Sequence, residues 1–130
     1  MSGNLLLSPM LKWVGGKRQL LPEIIPMIDN KYSPYVEPFM GGGAVLFAMQ
    51  PKSAVINDYN QELINVYKTV RDNLEELLEE LKNHESNNSS DYYYEIRALD
   101  RTPEFKAMSD IKKAARIIYL NKTCYNGLYR

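Results

Sequence analysis

Three features of the 130-residue sequence predict an α/β fold that passes, near residue 70, into an all-helical stretch. The first is a short apolar run that ends in three consecutive glycines and leads into an apolar helix-length segment. The second is another short β-branched run, which ends at Asn57-Asp58. The third is the pattern beyond residue 70, where apolar residues recur at helical spacing and no strand pattern returns.

Taken in order, Leu20, Leu21, Ile24, Ile25 and Ile28 fall at helical spacing after Lys17, so a helix is predicted there. Pro22 and Pro26 each remove a backbone donor and would kink it unless placed in a first turn. Tyr35-Val36-Glu37-Pro38-Phe39 reads as a short strand, Ala44-Val45-Leu46-Phe47-Ala48-Met49 as a buried helix and Ala54-Val55-Ile56 as a buried strand. Asn60 is placed to cap the next helix, with Leu63, Tyr67 and Val70 on one face. Asn73, with Glu76 three residues on, resembles a capping box before a stripe of Leu74, Leu77, Leu78 and Leu81. A polar loop over 85–90 and helices over 91–100 and 109–121 follow, the last with Ile111, Ala115 and Ile118 inward.

Composition narrows the function classes. Sixteen basic residues balance sixteen acidic ones, so any contact with nucleic acid needs a local Lys/Arg cluster rather than a global field. The one cysteine, Cys124, excludes an intrachain disulfide, and the one histidine, His84, leaves no His/Cys metal set. No apolar run approaches the roughly 18 residues of a membrane span, and no signal peptide is evident; a cytoplasmic protein is expected. His84 reads as a surface residue, Glu75-Glu76 with Glu79-Glu80 as a solvated face, and Cys124 as a packed side chain rather than a nucleophile. The tyrosines at 92–94 are expected to split between core and surface.

The strand–glycine–helix unit carries the chemistry. Glycines there let the backbone approach a ligand, and a helix start offers N–H groups. A carboxylate at the end of the next strand, Asp58, can accept hydrogen bonds from ribose hydroxyls, so the unit fits a nucleoside cofactor in the crevice at the strand ends. A plain tight turn remains the alternative for the glycines alone. The spacing departs from the G-x-G-x-x-G dinucleotide fingerprint and no P-loop is present, which disfavours NAD and ATP.

Four segments in order, Lys12-Trp13-Val14-Gly15-Gly16-Lys17, Glu37-Pro38-Phe39-Met40-Gly41-Gly42-Gly43, Asn57-Asp58 and Tyr125-Asn126-Gly127-Leu128-Tyr129-Arg130, add specificity. With Asp91-Tyr92-Tyr93-Tyr94 and Ala114-Ala115-Arg116 between them, the chain from 11 to 130 resembles the Dam/DpnM-type (D12 class) N6-adenine-specific DNA methyltransferases. The resemblance implies a partial S-adenosylmethionine-dependent methyltransferase fold, Rossmann-like. Residues 1–70 would form its cofactor-binding portion and 71–130 the helical start of the DNA target-recognition domain. It implies methyl transfer from S-adenosyl-L-methionine to N6 of adenine in double-stranded DNA, within GATC.

Residue by residue, the resemblance gives Trp13, Lys17 and Asp58 as cofactor contacts, with Glu37, Phe39, Gly41 and Gly43 in the loop around the methionine and ribose. A core or hinge aromatic for Trp13 and a solvated lysine for Lys17 stay open beside those roles. It gives Lys12, Tyr125, Asn126, Leu128 and Arg130 as DNA contacts, although Asn126-Gly127 is otherwise an ordinary turn signal. The family's catalytic D-P-P-Y is missing, because none of the seven prolines follows Asp or Asn. A truncated form, inactive alone and without a catalytic residue, is therefore expected. The alternative is a non-catalytic remnant that binds cofactor or self-associates, with homo-oligomers forming through an unfinished sheet edge.

Overall fold

Two proline-interrupted turns open the fold, where a single helix was expected. The computed structural model describes residues 6–29, 31 and 33–124. After Lys17 a 3-10 turn, Arg18–Leu20, passes into the four-residue helix α1, Leu21–Ile24, and then a second 3-10 turn, Ile25–Met27. Pro22 and Pro26 each sit in the first two positions of their turn, where a missing N–H costs little. Pro26 has no N–H for the carbonyl one turn back, so α1 cannot continue through it. Leu20, one of the apolar residues at helical spacing, is about half exposed.

The chain packs as two units, Met1–Tyr59 and Asn60–Arg130. In the first, strand β1, Tyr35–Glu37, pairs in parallel with β2, Ala54–Ile56, in the register Tyr35↔Ala54, Val36↔Val55, Glu37↔Ile56. Helix α2, Ala44–Met49, makes the crossover and buries Ala44, Val45 and Met49. The order β–loop–α–β is the one expected from the sequence. The burial of β2 is not. Val36 and Val55 are 59% and 55% exposed, and as register partners they share one face. Parallel strands are buried when helices cover both faces, and this face is open among the described residues.

The second unit is helical. Helix α3, Gln61–Asp72, starts under Asn60, whose side chain accepts from the Leu63 N–H at 3.1 Å as predicted. Its buried stripe is Leu63, Val66 and Thr69, with Tyr67 and Val70 half-buried, a rotation from the expected face. Thr69 can turn inward because its hydroxyl donates to the Asn65 carbonyl at 2.8 Å. Helix α4, Leu74–Ser86, lacks the predicted cap: Asn73 also ends α3, giving its N–H to the Thr69 carbonyl, and its side chain makes no capping bond. On α4 Leu77 and His84 are buried, while Leu74 and Leu78 are exposed. His84 is therefore a core residue, contrary to the surface placement expected.

The polar loop shrinks to 87–89, since α4 runs to Ser86 and helix α5, Ser90–Ala98, begins at the Ser89 cap. A 3-10 turn, Leu99–Arg101, and helix α6, Glu104–Ala107, precede α7, Asp110–Thr123, which is capped by Ser109. Residues 114–121 of α7 are buried without a break, wider than the single face expected, because α3, α4 and α5 all pack on it. That packing draws α3 into the second unit, so the division falls earlier than the boundary near residue 70 read from composition.

Candidate cofactor site

The loop after β1 is fastened to the end of β2 by its own backbone. The Asn57 N–H donates to the Glu37 carbonyl at 2.9 Å, and the Met40 N–H donates to the Asn57 carbonyl at 3.0 Å, so the parallel ladder continues past both strands. One oxygen of Asp58 then accepts the Gly41 N–H at 2.8 Å. The strand-end carboxylate and the glycine loop, singled out separately in the sequence, are thus in contact.

The glycines are required sterically. Gly43 precedes α2 with φ +82°, a left-handed conformation, and a Cβ there would lie 3.0 Å from both Met40 Cε and Phe47 Cε2. At Gly42 a Cβ would meet the Leu11 carbonyl oxygen at 3.2 Å and Trp13 Cβ at 3.4 Å. Half-buried Trp13 therefore packs beside the glycine loop, and its carbonyl accepts the Gly16 N–H at 3.2 Å.

Lys17 and Glu37 form a second fastening. Lys17 Nζ donates to the Phe39 carbonyl and lies 3.7 Å from Glu37 Oε1. The other Glu37 oxygen accepts the Tyr35 hydroxyl at 3.0 Å. Glu37 is buried, and its charge is balanced by Lys17. Burial, then the bond to Glu37 and its charge, push the Tyr35 phenol well above its ordinary value. Sequence reasoning passed over Tyr35. The signal was there, since residues two apart on a strand share a face.

A cavity of about 500 Å³ lies along β1, with Lys17, Tyr35, Glu37, Phe39 and Val45 among its lining residues. Its size suits a small-molecule ligand. It gathers Lys17, Glu37 and Phe39, while Trp13, Gly41, Gly43 and Asp58 lie outside its lining. Phe39 is 75% exposed and Lys12 is exposed. Tyr125, Asn126, Leu128 and Arg130, the other expected DNA contacts, lie outside the described residues. Among the described residues there is no group of acidic, His or Cys side chains fit to hold a metal ion, and no helix long and apolar enough to cross a membrane.

Parallel strands, a glycine loop clasped by the carboxylate that follows the neighbouring strand, and a helix after the loop form a β–loop–α–β unit. The comparison with known proteins is more specific. Residues 13–130 match the family described as D12 class N6 adenine-specific DNA methyltransferase, and the chain belongs to that family. It is 50% identical over 124 residues to the type II methyltransferase M1.LlaDCHI of Lactococcus lactis subsp. cremoris, covering 95% of this chain and 44% of that protein. It is 38% identical to the type II methyltransferase M.MjaIII of Methanocaldococcus jannaschii, over 94% of this chain and 47% of the relative. Against the DNA adenine methylase of Haemophilus influenzae identity is 34%, over 94% and 42%. The chain thus spans less than half the length of these relatives.

Proposed function

We propose that this chain provides the cofactor-binding part of an enzyme that transfers a methyl group from S-adenosyl-L-methionine to N6 of adenine in double-stranded DNA, within GATC. The observation that carries the cofactor reading is the 2.8 Å bond between Asp58 and Gly41, which puts the strand-end carboxylate and the glycine loop in one place. The residues present suit the cofactor. Asp58 is a ribose-hydroxyl acceptor at the carboxyl end of a parallel strand. Lys17, on the cavity wall beside Glu37 and Phe39, meets the methionine carboxylate. Trp13 lends an aromatic surface near the sulfonium. When bound, the cofactor supplies an electrophilic methyl group.

In the same reading Lys12, Tyr125, Asn126, Leu128 and Arg130 contact DNA, and 71–130 open the target-recognition domain. An exocyclic amine is a weak nucleophile, so transfer needs acceptors that hold its N–H groups in line with the methyl. The family's D-P-P-Y does this, and the sequence contains none. The chain alone therefore binds without turning over.

Calorimetric titration of the folded chain with S-adenosylmethionine and S-adenosylhomocysteine tests the reading. Binding is expected for both, with at least a tenfold loss in Asp58→Ala and no methyl transfer to GATC duplex. Absence of binding by a folded, monodisperse chain would sink the cofactor assignment.

A further inference from the structure

Helices α4, α5 and α7 meet at a single imidazole. His84, in the last turn of α4, is buried, and its Nδ1 lies 2.8 Å from the Tyr92 hydroxyl of α5. Its ring stacks on Tyr119 of α7, with centroids 4.9 Å apart and planes 16° from parallel. Tyr92 stands edge-on to Tyr119, whose hydroxyl donates at 2.8 Å to Asn88 Oδ1 in the loop between α4 and α5. All three helices and the connecting loop are therefore joined through one cluster.

The buried surroundings of the ring favour its neutral form. With its proton on Nε2 the neutral imidazole accepts the Tyr92 hydroxyl at Nδ1; an imidazolium instead donates from Nδ1 to the phenol oxygen, so the bond reverses and the hydroxyl proton must find another acceptor. The charge would also be placed among aromatic rings in the core. A helix C-terminus ordinarily favours a cation, and Glu80, one turn earlier on α4, pulls the same way. Burial outweighs Glu80 and moves His84 below its ordinary value. Tyr92 from α5 and Tyr119 from α7 face the imidazole from the other helices. Burial first, then Tyr119, Glu95 of α5 and Glu80, hold the Tyr92 phenol above its ordinary value.

We propose that His84 is an acid-sensitive latch, which holds the α4–α5 pair on α7 while neutral and releases it on protonation. This goes beyond the methyl-transfer reading and does not depend on it. The linkage sign is fixed by the lowered value. The unfolded chain takes up the proton first, near the ordinary histidine value of about 6.5. Stability is full above that pH and is lost as pH falls through the folded value. Each pH unit in this window changes the folded-to-unfolded ratio by up to about tenfold.

The chain has one histidine, so its ring resonances are unambiguous. The test is a pH titration of the full chain, ¹⁵N-labelled at the imidazole and at the backbone, with urea melts at pH 7.5 and 5. The ring is expected to titrate below 6.5, with Nε2 protonated in the neutral form, and amides of α4 and α5 should shift with the same midpoint. His84→Phe keeps the stack and should lose the extra acid sensitivity of the melt. Tyr92→Phe removes only the hydroxyl, and should move the ring's titration even if His84→Phe folds poorly. A ring that titrates at or above 6.5, α4 and α5 amides indifferent to it, or equal acid sensitivity in His84→Phe would each overturn the latch.

Discussion

The two units are held by different means. In the first, the described chain is fastened by polar bonds between distant segments: Asp58 to Gly41, Lys17 to Phe39 and Glu37, Asn57 to both sides of the loop. Its sheet leaves Val36 and Val55 open, and its helical turns before β1 bury none of their side chains fully. In the second, eight consecutive residues of α7 are buried, and the bonds from Arg116, His84 and Tyr119 join helices that already pack together. The contrast teaches that a binding loop can be ordered by a few directed bonds where apolar burial is thin, while a helical scaffold rests on packing.

Two optical probes separate the units, because Trp13 is the one tryptophan and most helix lies beyond residue 60. The largest effect is expected at Arg116. Its buried guanidinium donates to the Ile96 and Arg97 carbonyls at 2.9 and 2.8 Å, lies 3.4 Å from Asp100 and 3.7 Å from Glu62, and sits over the Phe105 ring. Arg116→Met removes the donor from two helix-end carbonyls, at a cost of about 2–3 kcal/mol, while the partly exposed Asp100 and Glu62 turn to water. The urea transition seen by circular dichroism should move while Trp13 fluorescence holds. If both move together, the two units unfold as one and the comparison breaks.

Gly43→Ala is the reverse case. A side chain at φ +82° costs about 1–2 kcal/mol before any clash with Phe47. The fluorescence transition should shift and cofactor affinity should fall, with the helical signal unchanged. Smaller still is the pair Asn60→Ala and Asn73→Ala. The first removes a working cap and should cost about 1 kcal/mol by chemical melt, the second close to nothing, since Asn73 makes no side-chain capping bond. Equal losses would mean that the cap assignment is wrong.

Local signals were readable in advance. The glycine run, the two short strands, the helix between them and the Asn60 cap follow from residue types and spacing, and the observed elements match them closely. What escaped depends on partners far along the chain. His84 beside a polar stretch looks solvated until Tyr119, far along the chain, closes over it. Asn73 has the residues of a capping box, but α3 ends on the same residue and sets its backbone. The rotation of the α3 face answers to α7, which no periodicity within α3 contains. In the candidate site, Asp58 and the glycines were legible, whereas the engagement of Lys17 by Glu37 needed the fold to bring strand and turn together.

The clasp between Asp58 and Gly41 bears on how a ligand would arrive. Its loop has already lost its conformational freedom in folding, so binding need not be opposed by the entropy of ordering that backbone. Association would then proceed without a slow rearrangement step, and its heat-capacity change would reflect the apolar surface covered rather than a segment made rigid on contact.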